Sequence, residues 1–214
     1  MARYIWKGVA VALGALGAAQ AVSAVTKANP GVATYAGTDP ANGDYFALTD
    51  VQGMIQLNNK IGRAANVNSA GNTLELEAEN TSAYDTFVSG NLQPITFNIS
   101  MQSGANVTVS GGDFRFVDFT TIHDDQEIQL PGLASALNFS FECFWDPADP
   151  ALVALKEASD NQTQLAMRIT FKGGAKYLLL GYVGATLTPT GQAQDAVKTS
   201  VTFTAFGRSK VFTS

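Results

Sequence analysis

Three segments of the chain alternate apolar and polar residues with a period of two, the pattern of a β-strand that has one buried face. In residues 73–79 the apolar positions alternate with a threonine and three glutamates, and residues 95–101 and 137–145 alternate in the same way. Successive side chains of a strand point to opposite faces of a sheet. Each segment is therefore predicted to form a strand, and the first carries an acidic outward face.

Shorter runs of β-branched and aromatic residues lie between Gly, Pro and Asn residues that favour turns. Residues 29–72 are dense in such turn formers and contain only short apolar islands, which predicts loops with short strands. Further strands are predicted over residues 107–109, 114–116, 165–171, 176–183 and 197–206.

One helix is predicted, beginning at Asp149-Pro150. Aspartate is a good N-cap, and proline is favoured at the first helical position. Apolar residues at 151, 152, 154, 155 and 158 form a stripe at helical spacing. The pattern predicts one short helix that packs on a sheet.

These elements predict a mainly β protein: a two-sheet sandwich or barrel-like fold with one short α-helix. Strands and helices do not alternate as they do in parallel sheets. No internal repeat with a period of about 20–50 residues stands out. We divide the chain into an N-terminal arm (residues 1–35), an N-terminal β and loop region (36–105) and a C-terminal β core (106–214).

The first 24 residues resemble a secretory leader, because two cations precede a stretch rich in Ala, Gly and Val and residues 22–24 match a cleavage site. With Leu13 and Leu16 as its large aliphatic residues among several valines, that stretch makes a poor membrane span. We interpret the segment as an uncleaved arm that packs on a neighbouring subunit. Cleavage would instead indicate a secreted protein.

The composition indicates a weakly charged surface. Of the 214 residues 46% are hydrophobic and 14% are charged, whereas about a quarter of the residues of a soluble domain are usually charged. Much of the polar surface must then be Ser, Thr, Asn and Gln. Such a surface suits a subunit that is buried among copies of itself.

The net charge of −5 argues against a protein that grips phosphates through a basic patch. The charges are unevenly distributed: residues 113–160 hold 2 basic and 10 acidic side chains, and residues 161–214 hold 6 and 1. Opposite charges in neighbouring segments pair either within one fold or head to tail between subunits, where they set orientation.

No motif for catalysis, cofactor binding or metal binding is present, so we expect neither an enzyme nor a cofactor. His123 is the single histidine and is flanked by Asp124 and Asp125, without a second His or a Cys at ligand spacing. The single cysteine, Cys143, shares the apolar face of its strand with Phe139 and is interpreted as a buried core residue.

A family resemblance rests on the order of several segments. They are Val117-Asp118-Phe119-Thr120-Thr121, a polar loop, Leu130-Pro131-Gly132-Leu133, the run from Phe139 to Pro150 with its helix, and strands ending at Gly181-Tyr182-Val183 and Thr199 to Phe206. This order resembles the tail tube (major tail) proteins of long-tailed bacteriophages, the family of the phage lambda major tail protein. The resemblance covers about the last half of the chain. It implies that residues 106–214 form the tail tube core.

The resemblance implies a structural virion protein that forms stacked hexameric rings, the conduit through which DNA is ejected. It implies self-association, a tape-measure protein and tail-end proteins as partners, DNA that passes without specific binding, and no membrane. The location is then the virion tail, assembled in the host cytoplasm. The loop from Thr121 to Pro131 corresponds to the loop that contacts the next ring, with His123, Asp124, Asp125 and Glu127 as its candidate residues.

The lumen of such a tube must let DNA slide, and an acidic or neutral polar wall repels or ignores phosphates where a basic wall would bind them. The candidate lumen-lining residues are therefore Glu75, Glu77 and Glu79; alternatively these residues form a solvated outer face.

Two other functions stay open at the level of sequence. A secreted or surface β protein, such as an adhesin or fimbria-like subunit, is favoured by the leader-like N-terminus. An extracellular carbohydrate-active enzyme would need carboxylates that converge in a cleft.

Overall fold

The computed structural model describes residues 8–213, which form fifteen β-strands, one α-helix and one 3-10 turn. The strands are β1 Ala10–Leu16, β2 Gln20–Val25, β3 Val32–Tyr35, β4 Tyr45–Gln52, β5 Lys60–Asn68, β6 Thr73–Leu76, β7 Ser89–Met101, β8 Gly104–Ser110, β9 Phe114–Asp118, β10 Gln129–Ala134, β11 Asn138–Phe144, β12 Leu165–Thr170, β13 Lys176–Ala185, β14 Lys198–Ala205 and β15 Lys210–Phe212. The helix α1 spans Pro150–Asp160, and the 3-10 turn spans Ile55–Leu57.

The N-terminal part of the chain closes into a six-stranded barrel in the order β2-β3-β6-β5-β4-β7. Pairing of Gln20–Val22 with residues 90–92 of β7 closes the ring, so no strand edge of the barrel is left free. Its interior is a close-packed apolar cluster. The largest fully buried side chains of that cluster are Phe46, Met54, Leu57, Leu74 and Leu92.

The rest of the chain forms a curled sheet in the order β7-β1-β12-β13-β14-β11-β8. The 13-residue strand β7 belongs to both parts, because its first half pairs with β2 and β4 and its second half pairs with β1. One apolar cluster joins side chains from both ends of this sheet with α1. The sheet therefore folds over a shared core as an outer wall (β7, β1, β12 and the first half of β13) and an inner wall (second half of β13, β14, β11 and β8).

The barrel packs on the outer wall through a third apolar cluster, which contains Tyr45 and Ala47 of β4 and Leu178 and Leu180 of β13. The other face of β4, with Phe46, points into the barrel. The first half of β4 is thus buried on both faces, which is why residues 45–48 form a continuous apolar run instead of an alternating one.

The helix α1 has the N-terminus predicted from the sequence. Asp149 is its N-cap and accepts a hydrogen bond from the Ala151 backbone N–H at 2.8 Å, with Pro150 in the first turn. Ala151, Leu152, Leu155 and Ala158 are buried in the core between the two walls. The mainly β fold with one short helix is confirmed, and the amphipathic stripe explains where the helix sits.

The N-terminal segment differs from the predicted arm. Residues 10–16 form β1, which pairs with β7 on one side and β12 on the other, and Leu13 is 2% exposed. Residues 20–25 form β2 of the barrel. Both strands pair within the subunit, so the prediction of an arm on a neighbouring subunit is wrong for residues 10–25; its first seven residues lie outside the described range.

Residues 29–72, predicted as loops with short strands, are more regular than expected, since they contain β3, β4 and β5 of the closed barrel. Gly and Asn turns and register shifts interrupt the barrel strands, so their alternation is broken and their pairing cannot be read from the sequence. The short apolar segment Met54–Leu57 forms the 3-10 turn and its N-cap instead of a strand.

Candidate assembly surfaces

The inner wall has one apolar face and one polar face. Phe139, Phe141 and Cys143 of β11 point into the core beside Val201 and Phe203 of β14. The opposite face consists mostly of small polar side chains, and no other element of residues 8–213 covers it. We call this face the hydroxyl face; it consists of Asn106, Thr108 and Ser110 of β8, Asn138, Ser140 and Glu142 of β11, Ser200, Thr202 and Thr204 of β14, and Tyr182 and Gly184 of β13.

The strand register aligns these residues in rows across the wall. Ser140 lies opposite Thr108 on one side and Thr202 on the other, and Thr202 lies opposite Gly184. In the next row Thr204 Oγ1 donates to Asn138 Oδ1 at 2.8 Å. Glu142 and Lys198 form a salt bridge of 3.3 Å at one end of the wall, so the charges there cancel. The hydroxyl face is therefore polar and close to neutral.

The inner wall ends in two incompletely paired edges. Among the described residues β8 has a strand partner, β11, on one side only. Tyr182–Ala185 of β13 pairs with β14 on one side, while on the other the Ala185 N–H donates to Ser159 Oγ at 3.1 Å. A cleft of about 490 Å³ opens beside β8, lined by Val11, Met101 and Val107 among others. Free edges of this kind are templates for pairing with another chain.

Strands β9 and β10 form a two-stranded ribbon that pairs with no other strand of the described chain. It continues the β8–β11 hairpin beyond the end of the inner wall, and its residues are exposed almost throughout. Its large apolar side chains are between 43% and 96% exposed: Phe114, Phe116, Val117, Phe119, Ile122, Ile128, Leu130 and Leu133. So many exposed apolar residues in one place indicate an interaction surface.

The ribbon joins the inner wall through Gly111 and Gly112, which have φ values of +83° and +88°. Side chains strain that backbone conformation. A Cβ on Gly111 would also lie 2.0 Å from the Ala136 carbonyl oxygen. The glycines are therefore required where the hairpin changes direction.

The candidate inter-ring residues lie together at the tip of this ribbon. His123, Asp124, Asp125 and Glu127 all belong to the exposed loop between β9 and β10. The Asp124 carboxylate accepts hydrogen bonds from the Thr121 backbone N–H at 2.7 Å and from its hydroxyl at 2.8 Å, and these bonds lower the pKa of Asp124. The tip is thus a structured acidic turn.

The three candidate lumen residues are not a free acidic face. Strand β6 ends at Leu76 and the chain turns, with Ala78 at a φ of +53°, so the alternation does not continue. Glu75 accepts a hydrogen bond from Asn66 Nδ2 at 2.8 Å, and Glu77 is held by the Arg63 guanidinium, whose hydrogen bond lowers the pKa of Glu77.

Glu79 is 7% exposed, so its prediction as an outward-facing residue is wrong. Its carboxylate binds Lys60, accepts from Lys210 Nζ at 2.7 Å and accepts from the Tyr84 hydroxyl at 2.7 Å. Burial raises the pKa of Glu79, but hydrogen bonds from Lys210, Lys60 and Tyr84 together outweigh it and lower that pKa. Since Lys210 belongs to β15, this cluster ties the C-terminal strand to the barrel.

The other candidate chemistry is unremarkable. Cys143 is fully buried, and burial, followed by the charge of Asp149, raises the pKa of its thiol. Within residues 8–213 no group of three or more His, Cys, Asp or Glu side chains is arranged to hold a metal ion. In the same range no helix is long and apolar enough to cross a membrane.

Sequence reasoning missed the hydroxyl face, although its signal was present. The outward positions of residues 137–145 and 197–206 include Asn138, Ser140, Ser200, Thr202 and Thr204. The outward-facing residues of these two strands, and not the glutamates of residues 73–79, indicate this face.

Comparison with known proteins identifies the family of the chain. No curated protein matches the chain. A family model described as phage tail tube protein, TTP, matches residues 52–213, which extends the match into the barrel and well beyond the last half of the chain. The chain therefore belongs to the phage tail tube protein family and is a structural component of the virion tail that is assembled in the host cell.

Proposed function

We propose that this protein forms stacked six-fold rings that build the tail tube, and that DNA leaves the virion through their lumen. The observation that carries the proposal is the inner wall, which within residues 8–213 has one buried apolar face, one uncovered hydroxyl face and two incompletely paired edges. A structural role of this kind requires no catalytic group.

Ring closure follows from the edges. The free edge of β8 in one subunit pairs with Tyr182–Ala185 of β13 in the next, so the inner walls join into one continuous cylinder. Closure removes the edges that a strand-rich monomer would expose. With six subunits, four strands each and a strand spacing of about 4.8 Å, the cylinder is at least about 37 Å across at its backbone, and strand tilt widens it. A duplex fits through such a cylinder.

The hydroxyl face is then the lumen wall. Lys and Arg side chains on a wall would bind phosphates and release counterions, which would hold the DNA. Ser140, Thr202 and their neighbours present neutral hydroxyl groups, and Lys198 is paired with Glu142. Such a wall lets DNA pass without specific binding. A tape-measure protein that fills the lumen before ejection, and tail-end proteins that cap the tube, are the expected partners.

The ribbon provides the contact between rings. It projects past the end of the inner wall, so its acidic tip with His123, Asp124, Asp125 and Glu127 reaches beyond its own ring. The inner and outer walls form the tube core, and the barrel packs on the side of the outer wall that faces away from the lumen.

Negative-stain electron microscopy of the purified full-length chain tests the proposal, with intact mass measured on the same sample. Stacked six-fold rings or hollow tubes of full-length chain are expected. A monodisperse monomer that never assembles, or one that lacks its first two dozen residues, would contradict the proposal and favour a secreted β protein.

A further inference from the structure

A cleft of about 440 Å³ lies at the seam between the barrel and the outer wall. The barrel contributes the start of β2, the loop between β3 and β4 and the middle of β7, and the outer wall contributes Phe97 and Arg168. Arg168 lies opposite Leu178 in the β12–β13 register, so it shares the face of the outer wall on which the barrel packs. The volume falls within the range of about 300–1,000 Å³ that is usual for small-molecule sites.

The guanidinium of Arg168 lies in this cleft without an acceptor. Its Cζ is 4.7 Å from the centroid of the Phe97 ring and 5.7 Å from that of the Tyr45 ring, so two aromatic side chains hold its position. Within residues 8–213 it forms no salt bridge, and its buried Nε has no hydrogen-bond partner. The guanidinium therefore has N–H donors to offer to a molecule in the cleft.

Gln20 adds an unpaired acceptor to the same cleft. Its Oε1 is buried and has no hydrogen-bond partner. Gly37 has a φ of +143°, and a Cβ there would lie 2.8 Å from Gln20 Cδ, so glycine is required for the loop to lie this close. Of the four buried side-chain polar atoms that lack a partner within residues 8–213, two belong to this cleft. Buried polar atoms are normally paired, so these two indicate a ligand.

Two exposed carboxylates stand at the rim of the cleft on an ordered loop. The Tyr35 hydroxyl donates to Asp39 Oδ1 at 2.7 Å, and the Ala41 N–H donates to Asp44 Oδ2 at 2.8 Å. A carboxylate has further lone pairs beyond one hydrogen bond, so both can accept from a ligand as well. The side chains that fix the loop thus leave the cleft preformed.

The ligand must both donate and accept hydrogen bonds. Two carboxylates beside one guanidinium repel an anion such as phosphate. Hydroxyl groups donate and accept, and the floor of the cleft contains apolar Pro94 and Ile95. We infer that the cleft binds a neutral saccharide, whose hydroxyl groups pair with Arg168 and Gln20 while its C–H groups pack on the apolar floor.

An extended peptide is a poorer fit, because the barrel is closed and offers no free strand edge to which a peptide could add. The cleft belongs to a single subunit, so the inference goes beyond the proposed function and does not depend on assembly. In the proposed tube the barrel side of the outer wall faces away from the lumen. A saccharide would therefore reach the cleft from outside the virion.

The variants Arg168→Met and Gln20→Met each remove one unpaired polar group and keep a side chain of similar length. Arg208→Met is the matched control, at an exposed arginine outside the cleft. Since removing an unpaired polar group costs the fold little, the thermal midpoint of both cleft variants should be no lower than that of the control. A lowered midpoint in both cleft variants would show that these groups serve the fold, and would count against the inference.

Saturation-transfer-difference NMR on the unassembled full-length protein measures binding, with maltose, lactose and N,N′-diacetylchitobiose as probes. Saturation transfer to at least one disaccharide is expected. Arg168→Met and Gln20→Met should each raise its dissociation constant by about tenfold or more, because a ligand hydroxyl loses its partner, and Arg208→Met should leave it unchanged.

Three results would overturn the inference. The first is no transfer to any of the three disaccharides, and the second is equal affinity in the wild type and both cleft variants. The third is displacement of the disaccharide by inorganic phosphate, or transfer only to a tetra-alanine peptide, which would identify an anion site or a peptide site. Because the subunit is tested unassembled, none of these results bears on whether the chain forms tubes.

Discussion

The barrel and the ribbon are built from strands of one chain but expose their apolar residues to opposite degrees. In the barrel every edge is paired and Leu74 and Leu92 are fully buried. In the ribbon both outer edges lack a strand partner among the described residues, and Leu133 is 87% exposed. The apolar side chains of the barrel are therefore covered within the subunit, whereas those of the ribbon are left exposed in it. Substitutions in the two regions should separate stability from assembly.

The largest difference is expected from the same substitution at two leucines. Leu13→Ala in β1 should lower the free energy of unfolding by about 3 kcal/mol, because it leaves a cavity in the core, whereas Leu133→Ala should leave it unchanged. Urea denaturation of both variants under conditions that keep the subunit unassembled measures the difference. If Leu13→Ala were as stable as the wild type, residues 10–16 would be an arm and not an interior strand.

A smaller difference is expected among the glutamates of the barrel. Glu79→Ala should cost about 3 kcal/mol or somewhat less, since it leaves Lys60 and Lys210 nearly buried without their counter-charge. Glu75→Ala is the matched control and should change stability by less than about 0.5 kcal/mol, because Glu75 lies nearer the surface and its partner is an amide. Equal effects of the two substitutions in thermal denaturation would show that the Glu79 cluster does not fasten β15 to the barrel.

The smallest effect is a dependence on pH that is specific to the barrel. The pKa of Glu79 is lowered in the folded protein, so its contribution to stability is present above the ordinary glutamate pKa and is lost as the pH falls through the lower, folded value. The difference in unfolding free energy between the wild type and Glu79→Gln should therefore shrink as the pH falls from 6 to 3. A difference that stays constant over this range would mean that Glu79 does not titrate in the way its ion pairs require.

The sequence predictions were accurate for the C-terminal strands and inaccurate for the barrel. Strands β11 and β14 and helix α1 were predicted closely, because one face of each is buried and the alternation or the capped stripe shows it. Strands β12 and β13, parts of which are buried on both faces, were located as apolar runs on either side of the turn at Gly173-Gly174. The barrel was missed because the first half of β4 is buried on both faces and the other strands are interrupted by turns. The glutamates were misplaced because an alternating pattern does not show where a strand ends, and here the chain turns after Leu76.

The sequence pattern of the N-terminal segment does not distinguish a secretory leader from an interior strand. An Ala- and Val-rich stretch is equally typical of a leader and of an interior strand that packs closely between two neighbours. Gly14 illustrates the second case, since a Cβ there would lie 2.9 Å from the Ile95 side chain. Only the pairing of β1 with β7 and β12 separates the two interpretations.

Hydrogen–deuterium exchange of the unassembled subunit and of the assembled tube tests the central claim most directly. Our account predicts that amides of β9, β10 and the free edges of β8 and Tyr182–Ala185 exchange quickly in the subunit and slowly in the tube, while those of the barrel are equally protected in both. Ribbon amides that exchange as fast in the tube as in the subunit would contradict the claim that assembly covers the surfaces the subunit leaves open.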